Sequence, residues 1–114
     1  MLSPGSAAAA HKRHDCGWLR GTYKHTPYKV HLWAKSKGPN CRYARRVVRA
    51  AFEGRIKEHV GRTHAGSWDI YGPYRCWGNM GYYGCWRPPS QRQVIVAHYW
   101  FKYRGDHHWT GWEG

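Results

Sequence analysis

The feature that most constrains this chain is a shortage. Its 114 residues include few aliphatic side chains and only 2 Phe, yet 4 Cys, 8 Trp and 9 Tyr. A chain of this length forms one domain around one modest core. With Leu, Ile and Val scarce, some indole and phenol rings must fill that core. Such rings suit positions where one side is buried and the other meets water or a ligand. The rest are expected at the surface, beside Arg and Lys. An even cysteine count in a short chain with a thin core favours two disulfides, which imply an oxidising compartment. Zinc and free thiols are the rival uses. The close cysteine pair of a zinc knuckle does not occur among Cys16, Cys41, Cys76 and Cys85.

Hydrophobic periodicity predicts strands around one helix. Trp18 to Tyr23 reads as a first strand, interrupted at Gly21, with Thr26-Pro27 marking a turn. In the next strand Tyr28, Val30, Leu32 and Ala34 alternate with Lys29, His31, Trp33 and Lys35. That is a half-buried strand with a basic outer face. Gly38-Pro39-Asn40 breaks the pattern, and Asn40 is a good N-cap. From Cys41 to Glu53 the apolar residues fall on one side of a helical wheel, and Gly54 is a natural stop. Residues 55–66 are polar and read as a brief helix extension followed by a loop. Trp68 to Tyr71 is a short strand. Tyr74 to Trp77 and Tyr82 to Trp86 flank a Gly-rich turn and read as a hairpin. Gln93 to Tyr103 is apolar on both faces and is expected to be the longest strand and central in its sheet. The fold class is therefore α+β: one amphipathic helix on a small, mainly antiparallel sheet. Its organisation is a flexible basic leader (1–14), a single stapled domain (15–104) and a His/Trp-rich tail (105–114).

Charge points to the partner. Lys+Arg is 19 and Asp+Glu is 6, a formal net charge of +13. The 9 histidines add more below about pH 6.5. Such an imbalance attracts anionic polymers, acidic protein surfaces and anionic lipid before any specific contact forms; plain solubility is the alternative. No apolar run approaches the ~18 residues of a membrane-spanning helix. The small-residue start reads as the end of a signal segment or as a leader, poorly ordered to about His11.

The densest charge is Arg42, Arg45, Arg46 and Arg49 on one helix face. Cations and rings also interleave in Arg75-Cys76-Trp77, in Trp86-Arg87, and from Tyr99 to Arg104 through Trp100 and Tyr103. Charge would draw in an anionic polymer while rings stack on bases or sugars. The competing reading is a solvated helix face, and Arg–Trp pairs that stack only on each other.

Three segments carry a resemblance. They are Gly38-Pro39-Asn40-Cys41-Arg42-Tyr43-Ala44-Arg45-Arg46-Val47, Gly72-Pro73-Tyr74-Arg75-Cys76, and Cys85 after a Gly-rich turn. In this order the chain resembles the small secreted cysteine-containing domains of actinobacteria, over about Cys16 to Phe101. The resemblance implies export and a helix-on-sheet fold, and it transfers no catalytic residue. The density of Trp, Tyr and His and the tail depart from that pattern. Four cysteines allow three connectivities. The hairpin layout suits a local Cys76–Cys85 bridge, which leaves Cys16 to reach Cys41 at the helix start.

Catalysis finds little support. No nucleophile elbow, phosphate loop, dinucleotide fingerprint or EF-hand is present, and no cofactor is implied. His59, His64 and His98 are the candidates for a small hydrolase or nuclease. Asp106, His107 and His108, or His11 and His14, are the candidates for a weak metal site. His98, in an apolar strand, reads first as a sheet-face histidine. The leading expectation is a secreted binding module for an anionic partner: a cell-envelope polymer, an acidic protein, or another copy in an assembly. A toxin or hydrolase and a nucleic-acid-binding protein are the alternatives.

Overall fold

A computed structural model describes residues 13–53, 57–60 and 67–113. The element order is β1 (Arg13–Tyr23), β2 (Thr26–Lys35), α1 (Cys41–Phe52), β3 (Lys57–Val60) and β4 (Ser67–Tyr71), then β5 (Tyr74–Asn79), β6 (Tyr82–Trp86), β7 (Gln93–Phe101) and β8 (Thr110–Gly111). All the strand pairings are antiparallel. Seven strands follow the order β1-β2-β7-β6-β5-β4-β3, and β8 pairs with β7 off that path. The apolar run at 93–101 is central, between β2 and β6. Strands on both edges pair its backbone groups, and Ile95 and Ala97 on its helix side are fully buried. It ends at Phe101, however, and β1 is the longer strand.

The helix forms where its sequence starts and stops it. The Asn40 side chain accepts from the Tyr43 N–H at 2.8 Å, satisfying one of the open N–H groups of the first turn. Ala44, Val47, Val48 and Phe52 then face the sheet. The sheet answers with alternate residues: Tyr28, Val30, Leu32 and Ala34 of β2, each no more than 1% exposed, and Ile95 and Ala97 of β7. Phenol rings do complete this core. Tyr28 lies 5.2 Å from Phe52 between ring centroids, and Phe52 meets Tyr83 and Tyr99 at 5.8 and 5.1 Å.

Two disulfides staple the two halves. Cys76 and Cys85 are cross-strand partners in β5 and β6, with Cα atoms 4.0 Å apart. Cys16 of β1 is joined to Cys41, the first residue of α1, with Cα atoms 5.1 Å apart. Each closure stabilises by about 2–4 kcal/mol, chiefly by restricting the unfolded chain. No helix among the described residues is long and apolar enough to cross a membrane.

Three segments differ from expectation. Lys57–Val60, read as helix extension and loop, forms β3 and pairs with β4; its polar composition carries no strand periodicity. Arg13 and His14, read as leader, belong to β1 opposite Lys35 and Ala34. The segment read as a tail returns to the sheet: Gly111 pairs with Trp100 and Thr110 with Phe101. The rest of the leader, with His11, and Gly54 lie outside the described residues.

Candidate functional site

One helix covers one face of a wide sheet. No helix or second sheet among the described residues covers the other face. Strand parity decides what that open face carries, because successive side chains alternate. It receives Lys29, His31, Trp33 and Lys35 from β2, and His98 and Trp100 from β7. From β6 and β5 it receives Tyr82, Trp86, Trp77 and Arg75.

The edge strand β1 keeps step only because it bulges. Its register shifts between Asp15 and Trp18, so Cys16 and Gly17 together oppose a single β2 residue. Gly17 has φ +85°, a left-handed conformation that glycine adopts without strain. The bulge resets the alternation. Cys16 and Leu19 both point to the helix side and are buried, while Arg13, Asp15, Trp18 and Arg20 share the open face.

On that face the rings form a row. His31 stacks on Trp33 at 4.1 Å and 27°, Trp18 on His31 at 4.7 Å and 28°, and Trp100 on Trp18 at 5.6 Å and 29°. His98 joins through Trp33, edge-on at 4.9 Å, and stacks on Trp112 at 4.3 Å and 10°. Cations are interleaved with the row. The Arg13 guanidinium lies 4.8 Å from the Trp33 centroid, and Arg20 lies 5.9 Å from Trp18. Lys29 Nζ sits 4.7, 5.5 and 5.9 Å from Trp109, Trp100 and Trp18. Such contacts each contribute about 0.5–1 kcal/mol at exposed sites.

The tail completes one border. Trp112 N–H donates to the Tyr99 carbonyl at 3.1 Å, and the Trp100 indole N–H donates to the Trp112 carbonyl at 3.0 Å. Tyr82 donates its hydroxyl hydrogen bond to Gln93.

Electrostatically the face is positive. Asp15 Oδ1 accepts from the Gly17 N–H and bonds His31 Nε2, both at 2.8 Å. The Gly17 bond first, and His31 second, hold this carboxyl below its ordinary value. Burial, then Arg13 and His31, push the His98 imidazole below its ordinary value, which favours the neutral ring within the stack.

The ten residues singled out from the sequence divide among several places. Arg75, Trp77, Trp86 and Trp100 share the open face; Trp77 is 47% exposed. Arg75 Nη1 donates to the carbonyls of Gly72 and Tyr74 at 3.3 and 3.1 Å, so it also braces the β4–β5 turn. Arg87 is exposed just past the end of β6. Tyr103 is 49% exposed and packs 5.9 Å from Phe101.

The four helix arginines are not one surface. Arg45 Nη1 donates to the carbonyls of Cys16 and Trp18 at 2.9 and 3.1 Å. Arg49 Nη1 reaches the Arg20 carbonyl at 3.5 Å and Glu53 at 3.2 Å. These two cap the free carbonyls of an edge strand, a protection against pairing with other chains. Arg42 and Arg46 alone point freely to solvent.

Sequence adjacency missed Arg13, Trp18, Arg20, Lys29, His31, Trp33, Trp109 and Trp112. Neighbours i and i+1 on a strand face opposite sides, so the cation–ring pairs form across strands. The alternation of Lys29, His31, Trp33 and Lys35 was the available signal.

No protein family, curated protein or solved structure matches the chain.

His98 lies within the open-face stack. The His59 side chain and His64 lie outside the described residues. On the helix side, a cavity of about 270 Å³ is lined by Tyr23, Phe52, Asp69, Tyr83, Tyr99 and Phe101, among others. There Tyr83 donates to Asp69 at 2.5 Å, and burial with that bond pushes the Tyr83 hydroxyl far up, so it stays protonated. No group of three His, Cys, Asp or Glu side chains among the described residues is arranged to hold a metal ion; His107 and His108 are exposed.

Proposed function

We propose that this protein is a non-catalytic binding module that engages an anionic polymer through the open face of its sheet. The observation that carries the reading is the continuous ring row on that face, interleaved with Arg13, Arg20 and Lys29. Asp15, the carboxylate beside that row, is already held by Gly17 and His31. A face of this kind offers charge for attraction and π surface for contact. A large aromatic surface on an exposed sheet is costly unless it meets a partner, and Trp, Tyr and Arg are the residues that dominate binding energy at interfaces. The two disulfides support work outside the cytoplasm, in keeping with the resemblance to exported domains.

The test is retention on an anionic matrix over a salt series. The triple variant R13Q/R20Q/K29Q should elute at markedly lower salt than the native protein and show a shallower dependence on salt. Equal retention of native and triple variant would overturn the reading.

A further inference from the structure

The β1–β2 ribbon carries a second regularity on its open face. Register places Arg13 directly opposite Lys35, and Arg20 directly opposite Lys29. Like charges directly opposite each other on antiparallel strands are destabilising. Among the described residues none of the four cations is ion-paired; Arg13, Arg20 and Lys29 lie against indole rings instead. Between the two pairs lie Trp33, His31 and Trp18, nearly parallel and in contact. The pairs are separated by about 20 Å of β2 at ~3.3 Å per residue. The ribbon is therefore a strip of rings with a doubled positive charge at each end. Trp18, 43% exposed, is the most open to solvent of these three rings.

We propose that this strip is a track for single-stranded nucleic acid: Arg13/Lys35 and Arg20/Lys29 hold phosphates, and the rings between them receive bases. The assignment rests on the anionic-polymer reading and narrows it. A single strand presents both regularly spaced charge and π surface; the strip offers paired cations and, because Trp33, His31 and Trp18 already stack on one another, the outward edges of those rings for tilted or edge-to-face contact. An acidic glycan presents charge and hydroxyls instead, and hydroxyls need side-chain amides and carboxylates to read them. The β1–β2 ribbon carries no side-chain amide, and its one carboxylate, Asp15, is tied to Gly17 and His31. Double-stranded nucleic acid hides its base faces and would use the charges alone.

The experiment compares three probes on the full chain by tryptophan fluorescence titration at several salt concentrations. They are an oligothymidylate of about 15 nucleotides, close to the upper site size of one small binding domain, inorganic polyphosphate of matched charge, and a sulfated glycan. The oligothymidylate should bind at least tenfold tighter than either and quench indole emission. Trp18→Leu should weaken the oligothymidylate by about 5- to 150-fold and leave polyphosphate nearly unchanged. The open-face pair R20Q/K29Q should reduce the slope of log affinity against log salt by about 0.7 per cation removed. If polyphosphate or the glycan binds as tightly as the oligothymidylate, the track is overturned while the anionic-polymer reading stands. If no probe binds, both fall.

Discussion

The Trp112 ring lies 4.3 Å from that of His98 and 10° from parallel, which makes the C-terminal segment part of the sheet face. Two glycines permit this approach. A Cβ at Gly81, where φ is +86°, would fall 2.1 Å from the Trp112 nitrogen, and one at Gly111 would fall 2.1 Å from the Tyr99 carbonyl oxygen. Gly81→Ala or Gly111→Ala should therefore lift residues 109–112 off β7 while the helix-side core stays folded. Hydrogen exchange at the Trp112 amide checks this. Protection should be lost in both variants, and retained protection would contradict the packing.

The helix arginines should separate by stability. Arg45→Ala leaves the Cys16 and Trp18 carbonyls without their donor, a loss of about 1.5–3 kcal/mol for a bond to a charged group. Arg42→Ala and Arg46→Ala alter exposed positions and should stay within about 0.5 kcal/mol. Denaturant midpoints for the three variants give the comparison directly.

Removing either staple should lower stability, with the wider loop costing more. In the loop-closure account, replacing Cys16 and Cys41 by Ala costs about 3.5 kcal/mol, and replacing Cys76 and Cys85 about 2.6 kcal/mol. The first pair also anchors the start of α1 to β1. Intact mass before and after reduction verifies that both bridges are present, and unfolding curves of the two variants give the order.

His98 predicts a pH dependence of known sign. Its imidazole is depressed below the ordinary 6.5, by burial first and then by Arg13 and His31. In the unfolded chain it takes up a proton near 6.5, while in the folded chain it resists until lower pH. Stability from this group is complete above about pH 6.5 and falls as pH drops through the interval below it. Arg13, His31 with Asp15, and the Tyr82 hydroxyl are the charged and titratable groups around the stack. His98→Phe keeps a ring against Trp112 and should flatten the curve between pH 6.5 and 5. An unchanged slope would assign the dependence to another histidine.

Much of the fold was legible because each element announces itself locally. Asn40 caps the helix, and its apolar positions recur at helical spacing. The two-residue alternation of Tyr28 to Lys35 separates a buried from an exposed face, and the double-faced apolar run of β7 requires a central place. The disulfides followed from the hairpin between Cys76 and Cys85. The binding face was harder to see. It depends on which strands are neighbours, and on a bulge at Cys16–Gly17 that inverts the parity of β1. Without that bulge Trp18 would point to the helix and Leu19 to solvent. The helix arginines misled for a related reason. Arg45 and Arg49 look solvated on a helical wheel, which does not show the free edge of β1 beside them. The fold of the tail was invisible because Gly81 and Gly111 act through close backbone approach, which leaves no hydrophobic period.

The indole N–H resonances of the 8 tryptophans test the open-face account most directly, because they report where an anionic polymer lands. On titration with polyphosphate or oligothymidylate, the signals of Trp18, Trp33, Trp100 and Trp109 should move together, and the α1 backbone around Arg42 and Arg46 should stay still. Shifts confined to α1, with the open-face indoles unmoved, would contradict it.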